Sequence, residues 1–287
     1  FFWFDRVGKD LPEYKEMLRL LLPDALKRKL NLAEESVEEM REKVKKMDVE
    51  DVPVETRILA SQMDDIAKAK AIERAKASKG MGGEGPKASA WVNGLLKVPF
   101  GKHSSEPVPP LANDATRIEQ SEHKVRVREY LDKAKGILDD AVHGHEKPKR
   151  AIMHMLAQRC ARNESGGGVL GIQGPPGNGK TTLVKEGVAK AMDRPFVFIS
   201  LGNINDGSLI SGERYAYVGS HWGRIIDALI EAGSMDPIIY IDELDKVSQT
   251  EKGREVISAL IHLTDPAQNS EYQDNYFDGI YFNLSKA

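Results

Sequence analysis

Residues 169–181 read Val-Leu-Gly-Ile-Gln-Gly-Pro-Pro-Gly-Asn-Gly-Lys-Thr, an apolar run that passes straight into a glycine-rich turn. Gly174, Gly179, Lys180 and Thr181 satisfy G-x-x-x-x-G-K-[ST], the spacing of a phosphate-binding loop. Glycine lets the backbone turn so tightly that successive N–H groups point at one anion. The helix that follows adds the positive end of its dipole. Lys180 can reach the β- and γ-phosphates of a nucleoside triphosphate, and the Thr181 hydroxyl can ligate Mg²⁺. The candidate cradle is therefore Gly174, Pro175, Pro176, Gly177, Asn178, Gly179, Lys180, Thr181 and Thr182. The bare pattern arises by chance in roughly one chain in a hundred of this size. An expected strand before it (168–173) and an amphipathic helix after it (182–192) weigh against chance.

A second motif points the same way. Pro237-Ile238-Ile239-Tyr240-Ile241-Asp242-Glu243 is a β-branched apolar run ending in two carboxylates, the pattern of a buried parallel strand. Ligands gather at the carboxyl ends of such strands, so Asp242 and Glu243 are expected beside the loop. Asp242 would hold Mg²⁺ through water, and Glu243 would polarise the water attacking the γ-phosphate. A further strand is expected near 195–200. Strands alternating with helices over 121–287 predict an α/β fold, a parallel P-loop sheet flanked by helices.

The rest of the chain reads as mostly helical. Helices are expected over 13–22, to about Leu30, over 33–47, over 54–79, from Trp91 to Lys97 and from Ser121 to Val142, with a flexible break at 79–86 and a proline-rich linker at 99–110. The domain reading is an unassigned helical segment 1–39, a helical neck and linker 40–120, and the nucleotide-binding domain 121–287. Net charge is −3, slightly basic before residue 150 and acidic after it, without the basic stripe of a dedicated nucleic-acid binder. No run approaches the ~18 apolar residues of a membrane span. The single cysteine, Cys160, excludes an internal disulfide framework and suits a reducing compartment. His145-Glu146-Lys147-Pro148-Lys149 begins like a zinc-protease motif but has Lys149 where the second histidine must stand.

From about Met40 onward the chain resembles the ATPase part of Lon-type ATP-dependent proteases, members of the AAA+ superfamily. The likeness rests on Trp91 to Lys102, Ile199-Ser200-Leu201-Gly202, Gly212 to Gly219, Gly223-Arg224-Ile225-Ile226, Asp242 to Lys246, Leu263 to Asn269 and Phe282 to Lys286. Asn178, Ser211 and Trp222 depart from it, standing where the family usually has Val, Arg and Pro. The resemblance implies ATP and Mg²⁺ as cofactors, an adenine contact at His143-Gly144, and a substrate-gripping pore loop at Tyr217-Val218. It implies a homohexamer that unfolds and translocates protein substrates, in the cytoplasm or alternatively the mitochondrial matrix. The alternative is a remodelling chaperone without a peptidase. The superfamily's sheet order puts a fourth strand between 168–173 and 237–242, and the chain stops at Ala287, where that strand is due. The expectation is a gap between those two strands or their direct pairing, poor independent stability and weak ATPase activity.

Overall fold

The structure, a computed structural model, describes residues 23, 26–29, 31, 52–79, 84–111, 115–161, 167–202, 206–217, 219–247 and 250–287. The chain divides into two compact units, Phe1–Ser61 and Gln62–Ala287. In the first, the described residues supply a helical turn at 26–29 and helix α1, Val54–Ala60. The helices expected over 13–22 and 33–47 lie outside the described residues.

The second unit opens with α2 (Asp65–Ser78) and α3 (Glu84–Lys97). The single helix expected over 54–79 is thus two. Asp64 caps α2, its carboxylate accepting the Ala67 N–H at 2.6 Å, and so fixes a new start. Ala67, Ala71 and Ala75 form a small-residue buried face at helical spacing. Against α2 packs α3, which buries Ala88, Trp91, Val92 and Leu95. Glu84, Gly85 and Pro86, expected in the flexible break, make the first turn of α3, where a missing N–H leaves no intrahelical bond unmade.

The stretch 99–110, expected as a linker, is pinned to the α/β unit. Met235 N–H donates to the Lys102 carbonyl at 2.8 Å, and Ser104 N–H to Asp236 at 2.9 Å. Glu106 pairs with Arg159 at 2.7 Å and with Arg194 at 3.1 Å; the buried Arg194 also lies 3.5 Å from Asp236. Burial alone would raise both carboxyls. Arg159 and Arg194 more than reverse this at Glu106, and the Ser234 and Ser104 donors with Arg194 do so at Asp236, leaving both below the ordinary carboxylate range. Proline-rich composition hid this, because every partner is distant in sequence.

Next come α4 (Arg117–Ala141) and α5 (Glu146–Ala161). Helix α4 starts before the expected Ser121 because Thr116 and Glu119 form a capping box, Thr116 N–H to Glu119 Oε2 at 2.7 Å and Glu119 N–H to Thr116 Oγ1 at 3.3 Å. The helix after the phosphate-loop motif, α6 (180–192), runs through Lys180–Thr182, a π-helical stretch Leu183–Ala189 and Lys190–Met192. Gly187 lets it press against α4: a Cβ there would stand 2.9 Å from Leu138 Cδ2. Ala134, Leu138, Ile152, Leu156, Leu183, Val184 and Val188 bury together as the core between α4, α5 and α6. Removing apolar surface from water drives this at about 25 cal/mol per Å².

Then follow β1 (Phe196–Ser200), α7 (Ser208–Ser211), α8 (Arg224–Ala232), β2 (Ile238–Asp242), α9 (Glu251–Thr264), β3 (Tyr272–Gln273) and β4 (Tyr281–Phe282). Strands β1 and β2 pair in parallel, from Phe196 opposite Ile238 to Ser200 opposite Asp242; β3 and β4 pair antiparallel. Alternation sends Val197 and Ile199 into one buried face, where α8 packs against β1, and Phe196, Ile238 and Tyr240 towards the α4–α6 core.

The run 168–173 corrects the sequence expectation, for it forms no strand. Among the described residues it makes no ladder with β1 or β2. Only Ile172 packs against the core, while Val169 and Leu170 are 69% and 37% exposed. A strand exists only through a neighbour's N–H and C=O groups, and among the described residues this run has no such neighbour. Of the two expected arrangements, direct pairing of 168–173 with β2 does not occur.

Candidate functional site

Within the loop Gly174 to Gly179, both Gly177 and Gly179 have φ of 73°, the left-handed region that favours glycine. Gly179 caps α6. Lys180 curls back over its own loop, Nζ donating to the carbonyls of Gly174 at 3.0 Å and Pro175 at 2.9 Å. Its ammonium therefore stands at the mouth of the turn. Pro175, Pro176, Asn178 and Thr182 are exposed. Thr181 Oγ1 donates to the Tyr240 hydroxyl at 3.5 Å, which ties the start of α6 to β2 two residues before Asp242.

Glu243 sits in the left-handed region, φ 62°, directly after β2. Asp242 Oδ1 accepts the Glu243 N–H at 2.9 Å, and Glu243 Oε2 accepts from Ser200 Oγ at 2.9 Å. Lys246 Nζ donates to the other oxygen. The Lys246 bond and then the Ser200 bond hold the Glu243 carboxyl below its ordinary range. A Cβ at Gly202 would overlap Glu243 Oε2, so a side chain there would displace that carboxylate. The roles of Ser200 and Lys246 were missed in the sequence. The available signal was register, because Ser200 ends β1 opposite Asp242.

His143 and Gly144 lie at the corner between α4 and α5, with Gly144 at φ 72° and His145 at φ 59°. This corner abuts the phosphate loop: a Cβ on Gly179 would come 3.4 Å from Val142 Cγ1. His143 is exposed. The Cys160 thiol is half-buried, and burial pushes its pKa up, which keeps it protonated. Among the described residues no group of three or more His, Cys, Asp or Glu could hold a metal ion, and no helix is long and apolar enough to cross a membrane.

The loop 212–223 is the second expected site. Tyr217 is 63% exposed, and Val218 lies outside the described residues. The base is tied by an acid that the sequence reading missed. Asp274 is fully buried, accepts the Gly223 N–H at 2.8 Å and the Tyr276 N–H at 2.9 Å, and presses so close to Gly212 that a Cβ there would meet Oδ1 at 2.6 Å. Burial pushes its pKa up to about 7, against the pull of these N–H donors. Asn275 adds Nδ2 to the Gly212 carbonyl at 3.1 Å.

The model of the ATPase family associated with various cellular activities (AAA) matches residues 170–278. The Lon protease homolog of Acanthamoeba polyphaga mimivirus is 31% identical over 245 residues, 85% of this chain and 23% of that protein. The Lon protease of Clostridioides difficile is 43% identical over 156 residues, 54% of this chain and 19% of its own. Lon protease 1 of Bacillus subtilis is 42% identical over 156 residues, 54% and 20% respectively. The chain spans about a fifth of the length of these curated relatives. The chain thus carries a Lon-type AAA ATPase portion: the family model covers 170–278, and the first likeness, over 85% of the chain, runs well upstream of it.

Proposed function

We propose that this chain binds ATP with Mg²⁺, hydrolyses it, and uses the cycle to draw polypeptide past Tyr217 and Val218 within a homohexamer, delivering it for proteolysis. The observation that carries the reading is the 3.5 Å approach of Thr181 Oγ1, at the end of the phosphate-loop motif, to the hydroxyl of Tyr240, two residues before Asp242 on β2. The residues present suit the nucleotide. Two left-handed glycines shape the turn, Lys180 supplies a cation at its mouth, and a hydroxyl and a carboxylate suit a hard cation. Bound Mg²⁺ would offset charge on the β- and γ-phosphate oxygens. Backbone N–H groups of 174–182 would orient the phosphates, Lys180 would stabilise charge developing on the γ-phosphate, and Thr181 and Asp242 would hold the metal. Glu243 would orient the attacking water, and its lowered pKa keeps it in the carboxylate form that task requires. The His143-Gly144 corner would meet the base.

At the loop, an aromatic side chain grips extended chains of any sequence, offering contact area at low entropy cost. In the full-length protein, Lys180→Ala should abolish ATP binding. Tyr217→Ala should stop unfolding of a tagged substrate while ATP hydrolysis continues. Unfolding at the wild-type rate by Tyr217→Ala would contradict the gripping role.

A further inference from the structure

Two aromatic residues, Tyr215 and Trp222, flank Tyr217 on the stems of the loop. On one stem, the Tyr215 ring is gripped by two cations from different helices. Arg74 Cζ of α2 lies 4.0 Å from its centroid, and Lys87 Nζ of α3 lies 4.4 Å away. The Tyr215 hydroxyl is buried and makes no hydrogen bond, so the ring alone is used. A π face attracts a cation through its quadrupole and needs no hydroxyl.

On the other stem, Trp222 stacks on Phe277 at 5.8 Å and lies against α3 at Gly94, where a Cβ would come 2.5 Å from Trp222 Cζ3. Its Nε1 donates to Asp227 at 2.6 Å. Both stems therefore touch the α2–α3 pair, and both rings also meet Tyr276 edge-on at 5.8 Å, while Tyr217 between them is exposed.

We propose that Tyr215 is a positioning residue, held by Arg74 and Lys87, that registers Tyr217 on the α2–α3 pair, so that this pair sets where the tip stands. The proposal rests on the translocation reading above. It adds that the loop's reference frame is the helical pair upstream of the nucleotide domain.

The test uses the full-length protein and limiting trypsin, reading cleavage after the exposed Arg214 by mass spectrometry. Arg74→Gln combined with Lys87→Gln leaves the cleaved bond unaltered and should speed cleavage about tenfold, as expected for losing two such contacts. Tyr215→Phe keeps the ring and should match wild type. Gly94→Ala, which displaces Trp222, is a milder second variant and should also speed cleavage, even if the double variant fails to fold. In parallel, ATP hydrolysed per tagged substrate unfolded should rise several-fold in the double variant and stay at wild type in Tyr215→Phe. Unchanged cleavage in Gly94→Ala and the double variant, or Tyr215→Phe behaving like the double variant, overturns the proposal. Loss of unfolding in Tyr217→Ala with normal coupling in the double variant refutes the positioning role alone. Normal unfolding by Tyr217→Ala refutes the translocation reading, and the positioning role with it.

Discussion

At the phosphate-loop motif of this molecule the backbone makes the local structure; at the loop 212–223, side chains do. The phosphate turn is shaped by Gly177 and Gly179, and its lysine bonds to carbonyls five and six residues away. The loop 212–223 is held instead by groups far away in sequence: Asp274, Phe277, Arg74 and Lys87. Around it Trp91, Phe277 and Phe282 are fully buried, whereas Val169 and Leu170 beside the phosphate turn are exposed. A site built from a short turn survives in almost any surroundings. A site built from long-range packing depends on the whole unit being folded.

The largest effect should come from the packed end. Phe277→Ala removes a ring that stacks on Trp222 and meets Trp91 edge-on at 5.4 Å. It should cost about 3–5 kcal/mol by chemical denaturation. A loss under about 1 kcal/mol would break the comparison.

Asp274 comes next, through pH. Its folded pKa of about 7 stands above the ordinary 3.8, so below neutrality the folded chain binds the extra proton. The stabilisation from this group is full below about pH 4 and is lost as pH rises through 7, on the order of 2–4 kcal/mol. Asp227 adds to the upward push. Asp274→Asn should flatten that part of the stability–pH profile, and an unchanged slope would remove Asp274 as its source.

Glu106→Gln removes one pin of the 99–110 segment, the ion pairs of the Glu106 carboxylate with Arg159 and Arg194, and its pH dependence has the opposite sign. Its folded pKa is lowered, so its contribution is present above the unfolded value and is lost as pH falls through the folded one. A loss of about 1–3 kcal/mol at pH 7, shrinking in acid, is expected. Thr116→Ala should cost least, about 1 kcal/mol, because it removes only an exposed cap.

The same contrast decides what could be read in the sequence. Gly174 to Thr181 and Asp242-Glu243 announce themselves because their chemistry needs fixed spacings along one short segment. Strands β1 and β2 were legible from β-branched runs, and α6 from its position after the turn. Asp274 was not, since nothing near it in sequence predicts that its carboxylate closes a loop 51 residues upstream. The 99–110 segment and the run 168–173 were misread for a related reason. Whether proline-rich chain is loose, or an apolar run is a strand, is settled by distant partners. The Asp64 cap and the Thr116 capping box were local and readable, and they mark the starts of α2 and α4.

On the proposed function, Glu243 directly after β2 turns a nucleotide-binding turn into a hydrolysing site. The direct test is single-turnover ATP hydrolysis by full-length Glu243→Gln, with ATP affinity measured on the same sample. Affinity should stay within a few-fold of wild type and hydrolysis should slow by about a hundredfold or more, because an amide cannot orient the attacking water as the carboxylate does. Hydrolysis at the wild-type rate with normal binding would contradict it.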